Sequence, residues 1–338
     1  MVWVKHGGYG PFVYKVIERL RTTMTVPPES LSSNALVPCA SAESLSVNLA
    51  PILKSFLAGT AYEPPTATGT NEQLVAAMHA EMEARDIASS QLERLLRASA
   101  DFVELSYPYY DFKEKKIVAL YHWYMVYLDG LVSTDAEPLL AFQERFLRRQ
   151  PQLDPVLDAL SDVFIQLYDI FQPHCANLIL SSSLEFLTGT AFEPQIKALT
   201  LDRTAKQFPW YLRELTGIAE GFSHLVFPMR LGINVLEYIK VIPEMCRWLN
   251  VSNDLLSFYK EELAGETATY VCLRALVENK DAIQVLAEVK DELLSSQEII
   301  HATLVACPAA LRTWKSFEQG YIFWHLSQDR YKLRDLDL

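Results

Sequence analysis

The spacing of apolar residues is the feature that most constrains the fold of this 338-residue chain. From about residue 72 onward, apolar side chains recur at intervals of three and four, the period of an α-helix with one buried face. No stretch shows the strict alternation of a half-buried strand. Glycine is also scarce, with 12 residues, which favours helices over sandwiches and nucleotide-binding sheets. The sequence therefore predicts an all-α fold, a single large helical bundle.

The same pattern predicts the individual helices and a division of the chain. Two Pro- and Ser/Thr-rich stretches, "TVPPESLSSNALVP" and "YEPPTATGTNE", indicate loops near the N-terminus. Residues 1–70 are therefore interpreted as an irregular segment with short helices, and residues 71–338 as one helical domain. The predicted helices lie at 11–22, 46–58, 72–85, 87–107, 111–128, 138–148, 154–170, 173–189, 209–221, 232–263, 267–278, 281–305 and 308–327.

Charge and cysteine content exclude several classes of function. The net charge is -12, so the chain lacks the basic footprint of a nucleic-acid-binding protein. The five cysteines are scattered without zinc-ligand spacing, as expected for reduced thiols in a cytoplasmic protein. "MVWVKHGGYG" does not resemble a secretory signal, and the longest apolar run, "IVALYHWYMVYL", is too short to span a bilayer. We expect a cytoplasmic protein without stable membrane insertion.

Common catalytic motifs are absent from the sequence. There is no Walker A loop, no GxSxG elbow and no HExxH, and "HGGYGP" is not a dinucleotide-binding turn. His122 and His325 both lie in apolar runs, and we interpret them as hydrogen-bonded core histidines.

The segment "VSNDLLSFYKEEL" (251–263) carries a candidate metal site. Asn253, Ser257 and Glu261 are four residues apart, so a helix places them in a row on one face. Amide, hydroxyl and carboxylate oxygens are the ligands that hard cations such as Mg²⁺ prefer. The alternative is that Asn253 caps a helix and the other two side chains face water.

A second acidic feature is Asp129, at the end of the predicted helix 111–128. Its face continues through His122, Met125 and Val126. A carboxylate at the end of so apolar a face is costly to bury unless it is paired or binds a metal. The alternative is an exposed Asp-Gly turn with Gly130.

Basic and hydroxyl side chains complete the candidate site. Arg330 and Tyr331 follow a long aromatic stretch in "GYIFWHLSQDRYKLRDL", Lys260 lies within the candidate metal site, and Arg213 lies in "PWYLRELTG". Arginine presents a planar fork of donors to phosphate oxygens. These residues suggest a metal–diphosphate site in an apolar bundle, although a solvated helix end would also explain Arg330.

The ordered set "YLDG", "YLRELTG", "NDLLSFYKE" and "GYIFWHLSQDRYKL" resembles the fungal trichodiene-synthase-like sesquiterpene synthases, which are class I terpene cyclases. The resemblance implies a helical bundle around an apolar active-site cavity. It also implies Mg²⁺-dependent ionisation of farnesyl diphosphate, cyclisation of the resulting cation and release of diphosphate. Three Mg²⁺ ions are expected with diphosphate bound, and a homodimer is possible.

The resemblance also implies roles for individual residues. The implied metal ligands are Asp129, Asn253, Ser257 and Glu261. The implied diphosphate-binding residues are Arg213, Lys260, Arg330 and Tyr331, and the first of these matches the diphosphate-sensing arginine. The sequence departs from the family at Gly130, where a second aspartate is usual, and Asp135 is the next acid.

Several expectations remain open at this stage. Met125, Phe186 and Trp324 are candidates to line the cavity, where aromatic faces stabilise cations, although such residues are often plain core. Two other functions compete with the cyclase. A chain-elongating prenyltransferase would need two strong aspartate-rich motifs, and a non-catalytic helical relative would have lost metal binding through Gly130.

Overall fold

The protein is all-α, as the sequence predicts. The computed structural model describes residues 42–65, 71–87, 93–131 and 136–338, and within these ranges the regular structure is entirely helical. We number the α-helices in chain order: α1 (Ala42–Gly59), α2 (Glu72–Ala84), α3 (Glu93–Ser106), α4 (Phe112–Leu131), α5 (Glu137–Leu147), α6 (Pro155–Gln166), α7 (Pro173–Ile196), α8 (Phe208–Gly217), α9 (Ala219–Leu225), α10 (Val235–Tyr238), α11 (Ile242–Leu263), α12 (Tyr270–Glu278), α13 (Ala282–Leu304) and α14 (Pro308–Ser327). Short 3₁₀ turns follow α6, α9, α10 and α14.

Local sequence signals start many of these helices. Proline lies in the first turn of α5, α6, α7, α8, α11 and α14, where its missing N–H costs no hydrogen bond. Side chains cap other helices: Asn71 accepts from the N–H of Leu74, and Asp281 from that of Ile283. Prolines and capping side chains therefore fix where many of these helices begin.

Several predicted helices are wrong in extent. The prediction at 232–263 is interrupted, because a capping box at Asn234 starts the short α10 and a 3₁₀ turn separates it from α11. The prediction at 209–221 is broken at Ile218, whose φ of 49° lies in the left-handed region. The prediction at 87–107 begins too early, because residue 87 follows a turn and is not helical, and the prediction at 173–189 ends too early, because α7 continues to Ile196. The predicted helix at 11–22 lies outside the described residues.

Two groups of helices form the walls of the bundle. Helix α11 packs against α13, α9 and α1, and α3 packs between α4 and α14. The crossing of α3 and α14 is close, because a Cβ at Gly320 would lie 1.9 Å from the carbonyl oxygen of Leu105. The indole Nε1 of Trp324 donates to the carbonyl oxygen of Ala98 at 2.8 Å and ties the same two helices together.

Helix α1 belongs to the core although it precedes residue 71. Its apolar face is buried through Leu45, Leu49, Leu53 and Phe56, and it contacts α13 and α11. The predicted division of the chain at residue 70 stays a prediction. Among the described helices, none combines the length and apolar character needed to cross a bilayer.

Candidate active site

Helix α11 carries the row of oxygen side chains that the sequence predicts. Asn253 is half-buried, Ser257 is 1% exposed, and Glu261 keeps 15% of its side chain exposed. Ser257, in the middle of the row, is therefore the most buried of the three side chains. Lys260 lies beside Glu261, with its Nζ 3.5 Å from Oε1. The three oxygen-bearing side chains thus lie in a row on one face of α11, with partly exposed residues at both ends.

Arg213 of α8 is fixed against the same helix. Its Nε donates to both carboxylate oxygens of Asp254, at 2.7 and 2.9 Å. Its Nη2 donates to the carbonyl oxygen of Asn250 at 3.0 Å and to Oδ1 of Asn253 at 3.1 Å. Burial raises the pKa of Asp254 to about 6, and Arg213 opposes that shift, so Asp254 is ionised at neutral pH. Arg213 is thereby oriented by a charge-assisted pair next to a candidate metal ligand.

The helix break at Ile218 shapes this region. Gly217 ends α8, and a Cβ there would lie 2.0 Å from Oδ1 of Asn250 and 2.7 Å from Nη1 of Arg213. Oδ1 of Asn250 is buried, and no hydrogen-bond partner for it lies in the part of the chain that the structure describes. The glycine therefore provides the space that the Asn250 amide and the Arg213 guanidinium occupy.

Four charged residues surround the phenol of Tyr331. Tyr331 lies in a 3₁₀ turn after α14 and is 3% exposed. Burial raises its pKa, Glu261 and Asp129 add to that shift, and Arg330 and Lys260 oppose it. The guanidinium carbon of Arg330 lies 5.2 Å from the centre of the ring, and Nζ of Lys260 lies 5.9 Å away. Charged residues from α4, α11 and the C-terminal turn thus all act on the phenol of Tyr331.

Asp129 differs from its sequence-based description. It is exposed, and it lies within α4, which continues to Leu131. The carboxylate therefore avoids the cost of burial, and the alternative is right about its exposure but wrong about a turn, because the helix continues through Asp129 and Gly130. Its role as a metal ligand stays a prediction. Gly130 is also exposed, and Asp135 lies outside the described residues.

Aromatic rings fill the space below the charged residues. The imidazole of His122 stacks on Phe102 with ring centres 4.2 Å apart, and it also contacts the rings of Phe222 and Trp324. Its Nδ1 lies 2.9 Å from Oγ of Ser99. Nδ1 of His325 bonds the carbonyl oxygen of Tyr321. The interpretation of both as hydrogen-bonded core histidines is confirmed.

The three candidate cavity residues are all buried. Met125 is 2% exposed, Phe186 4% and Trp324 3%. The Trp324 ring contacts those of His325 and Tyr331, with centres 4.8 and 5.6 Å apart, so it joins the aromatic interior to the charged residues. For Met125 and Phe186, a role in lining a cavity stays a prediction.

The donor set of α11 fits a divalent cation. Oγ of Ser257 is buried and has no hydrogen-bond partner among the described residues, which costs about 1–3 kcal/mol for such a group. A hard cation beside Asn253 and Glu261 would satisfy that oxygen. Among the described residues, no three His, Cys, Asp or Glu side chains form a metal-binding group. The α11 site is of a different kind, because two of its three candidate ligands are the amide oxygen of Asn253 and the hydroxyl oxygen of Ser257.

Sequence reasoning missed residues that support the site. Asp254 directly follows Asn253, but its role in orienting Arg213 depends on α8 packing against α11. Burial is the main cause of the raised pKa values of Glu193 and Glu266. Asp129 raises both further, although for Glu266 the contribution of Glu261 is larger. These two acids come from distant parts of the chain, and no sequence spacing indicates that they lie near Asp129.

Comparison with known proteins places the chain in a family. Residues 75–337 match the model of the trichodiene synthase (TRI5) family. The chain is 32% identical to terpene synthase BipA of Cochliobolus sativus over 84% of this chain and 89% of that protein. It is also 32% identical to longiborneol synthase CLM1 of Gibberella zeae, over 67% and 68% of the two chains.

Solved structures share the fold. The linalool/nerolidol synthase of Streptomyces clavuligerus, determined with 2-fluorogeranyl diphosphate, superposes with a TM-score of 0.61 at 14% identity. The superposition covers 79% of this chain and 98% of that one. The family match confirms the resemblance seen in the sequence, and the solved structures confirm the fold. The chain belongs to the trichodiene synthase family and is a terpene synthase with the class I all-α fold.

Proposed function

We propose that the protein is a Mg²⁺-dependent sesquiterpene synthase that ionises farnesyl diphosphate and cyclises the cation. The observation that carries the proposal is that the α11 oxygen row lies against Arg213, which donates to Asn253, while Lys260 and Arg330 lie over the ring of the buried Tyr331. Related proteins named as sesquiterpene-forming enzymes, including a longiborneol synthase and an (E)-beta farnesene synthase, support a C15 substrate.

The metal ligands in this proposal are Asn253, Ser257 and Glu261 on α11 and Asp129 on α4. When bound, Mg²⁺ supplies the positive charge that makes diphosphate a good leaving group. The protein residues set where that charge can lie: α11 offers three oxygens in a row, and Asp129 on α4 is close enough to Tyr331 and Glu266 to raise their pKa values. Ser257 gains a partner that it lacks among the described residues.

The basic residues and Tyr331 would bind the diphosphate. Arg213 is held by Asp254, so its guanidinium is already oriented, and donors fixed in advance stabilise developing negative charge more effectively than mobile ones. Arg330 is exposed and Lys260 is partly exposed, so both can reach a substrate from the surface. The Tyr331 hydroxyl keeps its proton at neutral pH because its pKa is raised, and it can donate to a phosphate oxygen.

The aromatic interior would receive the hydrocarbon chain. Phe102, Phe222 and Trp324 surround His122 and exclude water from an allylic cation. Each aromatic face can stabilise a cation by about 0.5–2 kcal/mol. His122 is neutral, since burial lowers its pKa to about 3, so it adds no repelling positive charge.

The test is an incubation of purified protein with farnesyl diphosphate, analysed by gas chromatography and mass spectrometry of the organic extract. We expect a sesquiterpene that forms with Mg²⁺ and disappears with EDTA. Glu261→Gln should abolish it, while Glu298→Gln on α13 provides the matched control. Product formation in EDTA would exclude the metal-dependent mechanism. Failure with farnesyl diphosphate but turnover of geranyl diphosphate would reassign the chain length.

A further inference from the structure

His325 lies at the centre of the site and has no role in the function proposed above. Its side chain is buried, with 1% exposed. The rings of Tyr321, Tyr331 and Trp324 surround the imidazole, with centres 4.5, 4.6 and 4.8 Å away. The orientation of the imidazole is therefore fixed by packing.

The hydrogen bond of Nδ1 identifies the tautomer of this imidazole. Nδ1 lies 2.9 Å from the carbonyl oxygen of Tyr321, which can only accept, so Nδ1 carries the proton. Nε2 is then the ring nitrogen that can accept a hydrogen bond.

Nε2 faces the side-chain amide of Asn253. The distance from Nε2 to Nδ2 of Asn253 is 3.5 Å. On the other side of the same amide, Oδ1 accepts from Nη2 of Arg213 at 3.1 Å. A flipped amide would place its N–H groups against the guanidinium and its oxygen against the lone pair of Nε2. Both neighbours therefore select the same orientation.

We propose that His325 is a positioning residue whose Nε2 holds the Asn253 amide so that its oxygen, and not its nitrogen, is presented to a divalent cation. This inference rests on the proposed function, in which Asn253 is a metal ligand. Partners that orient ligating side chains commonly change metal affinity by about 10- to 100-fold when they are removed.

Two substitutions separate the hydrogen bond from the packing. His325→Phe keeps a ring of similar shape but removes the acceptor, whereas the amide of His325→Gln can offer an oxygen at the position of Nε2. We would titrate each protein with Mg²⁺ and inorganic diphosphate by calorimetry. The Phe variant should bind Mg²⁺ in the presence of diphosphate about tenfold or more weakly, and the Gln variant within about threefold of wild type.

The controls distinguish the possible failures. Binding of diphosphate without metal should be similar in wild type and both variants, whereas a general structural defect would weaken it too. Equal metal affinity in the wild type and the Phe variant would overturn this inference but leave the proposed function standing. Absence of Mg²⁺–diphosphate binding in the wild type would overturn the proposed function and the inference with it.

A neutron structure of the wild-type protein tests the inference without any variant. We expect the exchangeable hydrogen on Nδ1 of His325, an unprotonated Nε2, and the amide nitrogen of Asn253 directed at it. A hydrogen on Nε2, or an Asn253 oxygen facing that atom, would refute the proposal even if neither variant folds.

Discussion

Gly217→Ala should lower activity strongly while changing the free energy of unfolding little, and it does so without removing a charged residue. An added Cβ would lie 2.0 Å from Oδ1 of Asn250, and an ordinary contact begins at 3.4 Å, so the amide must retreat by about 1.4 Å. The guanidinium of Arg213 lies 2.7 Å from the same point and must also move. The guanidinium needs a shift of about 0.7 Å to reach 3.4 Å, and a shift of that size away from Asn253 would lengthen their 3.1 Å hydrogen bond to about 3.8 Å, too long to hold.

The effect on stability should be small by comparison. Inserting one methyl group into packed surroundings costs about 1–3 kcal/mol, and alanine in place of helical glycine returns up to about 1 kcal/mol. We therefore expect a loss of about 0–2 kcal/mol in the free energy of unfolding. Activity should fall at least tenfold, because the donors of Arg213 would no longer be aligned.

The assay compares urea unfolding with kcat and KM for farnesyl diphosphate in Gly217→Ala and in a matched control, Gly130→Ala. Gly130 is also helical, but a Cβ there meets no atom of the described residues within 4 Å. The control should keep wild-type activity. If Gly217→Ala also retains kcat/KM within twofold of wild type, the orientation of Arg213 does not depend on this glycine and the reasoning is refuted.

Three further outcomes follow from the structure. Gly320→Ala should reduce the free energy of unfolding by about 3 kcal/mol or more, because the Cβ would overlap the backbone of α3, and an unchanged urea midpoint would contradict the close helix crossing. Burial raises the pKa of Glu318, although His301 and the indole of Trp314 oppose the shift, so the folded state binds protons more readily than the unfolded state. Wild-type stability should therefore fall as pH rises from the ordinary glutamate pKa of 4.5 through the raised pKa of Glu318. The melting temperature of Glu318→Gln relative to wild type should increase over that range and then level off, whereas a difference that does not change with pH would refute the assignment. Gly130→Asp should keep or increase Mg²⁺-dependent turnover in the chromatographic assay, whereas a collapse would mean that Asp129 binds metal in a different geometry.

The sequence predicts the helices well and their interruptions poorly. Apolar periodicity identifies the pieces of α8 and α9 because both bury one face, but it carries no sign of the left-handed conformation at Ile218. A β-branched residue is unfavourable at positive φ. The break is therefore imposed by tertiary packing, in which Gly217 fits against Asn250, and propensity alone would continue the helix.

The site is predictable where its residues lie on one helix. Asn253, Ser257 and Glu261 follow from the period of α11, and Lys260 follows with them. The pairing of Asp254 with Arg213 depends on how α8 packs against α11, because the two residues are 41 positions apart in the sequence. The exposure of Asp129 depends on where α4 reaches the surface, and the role of His325 depends on which atom its ring faces. These properties require the packed structure.

The central claim is that the oxygen row of α11 binds a divalent cation together with diphosphate. The most direct measurement is X-ray diffraction at the manganese absorption edge from crystals grown with Mn²⁺ and inorganic diphosphate. We predict an anomalous peak in contact with Oδ1 of Asn253, Oγ of Ser257 and the Glu261 carboxylate, with diphosphate on its far side next to Arg213. Diphosphate bound there without a peak at these three oxygens would contradict the claim.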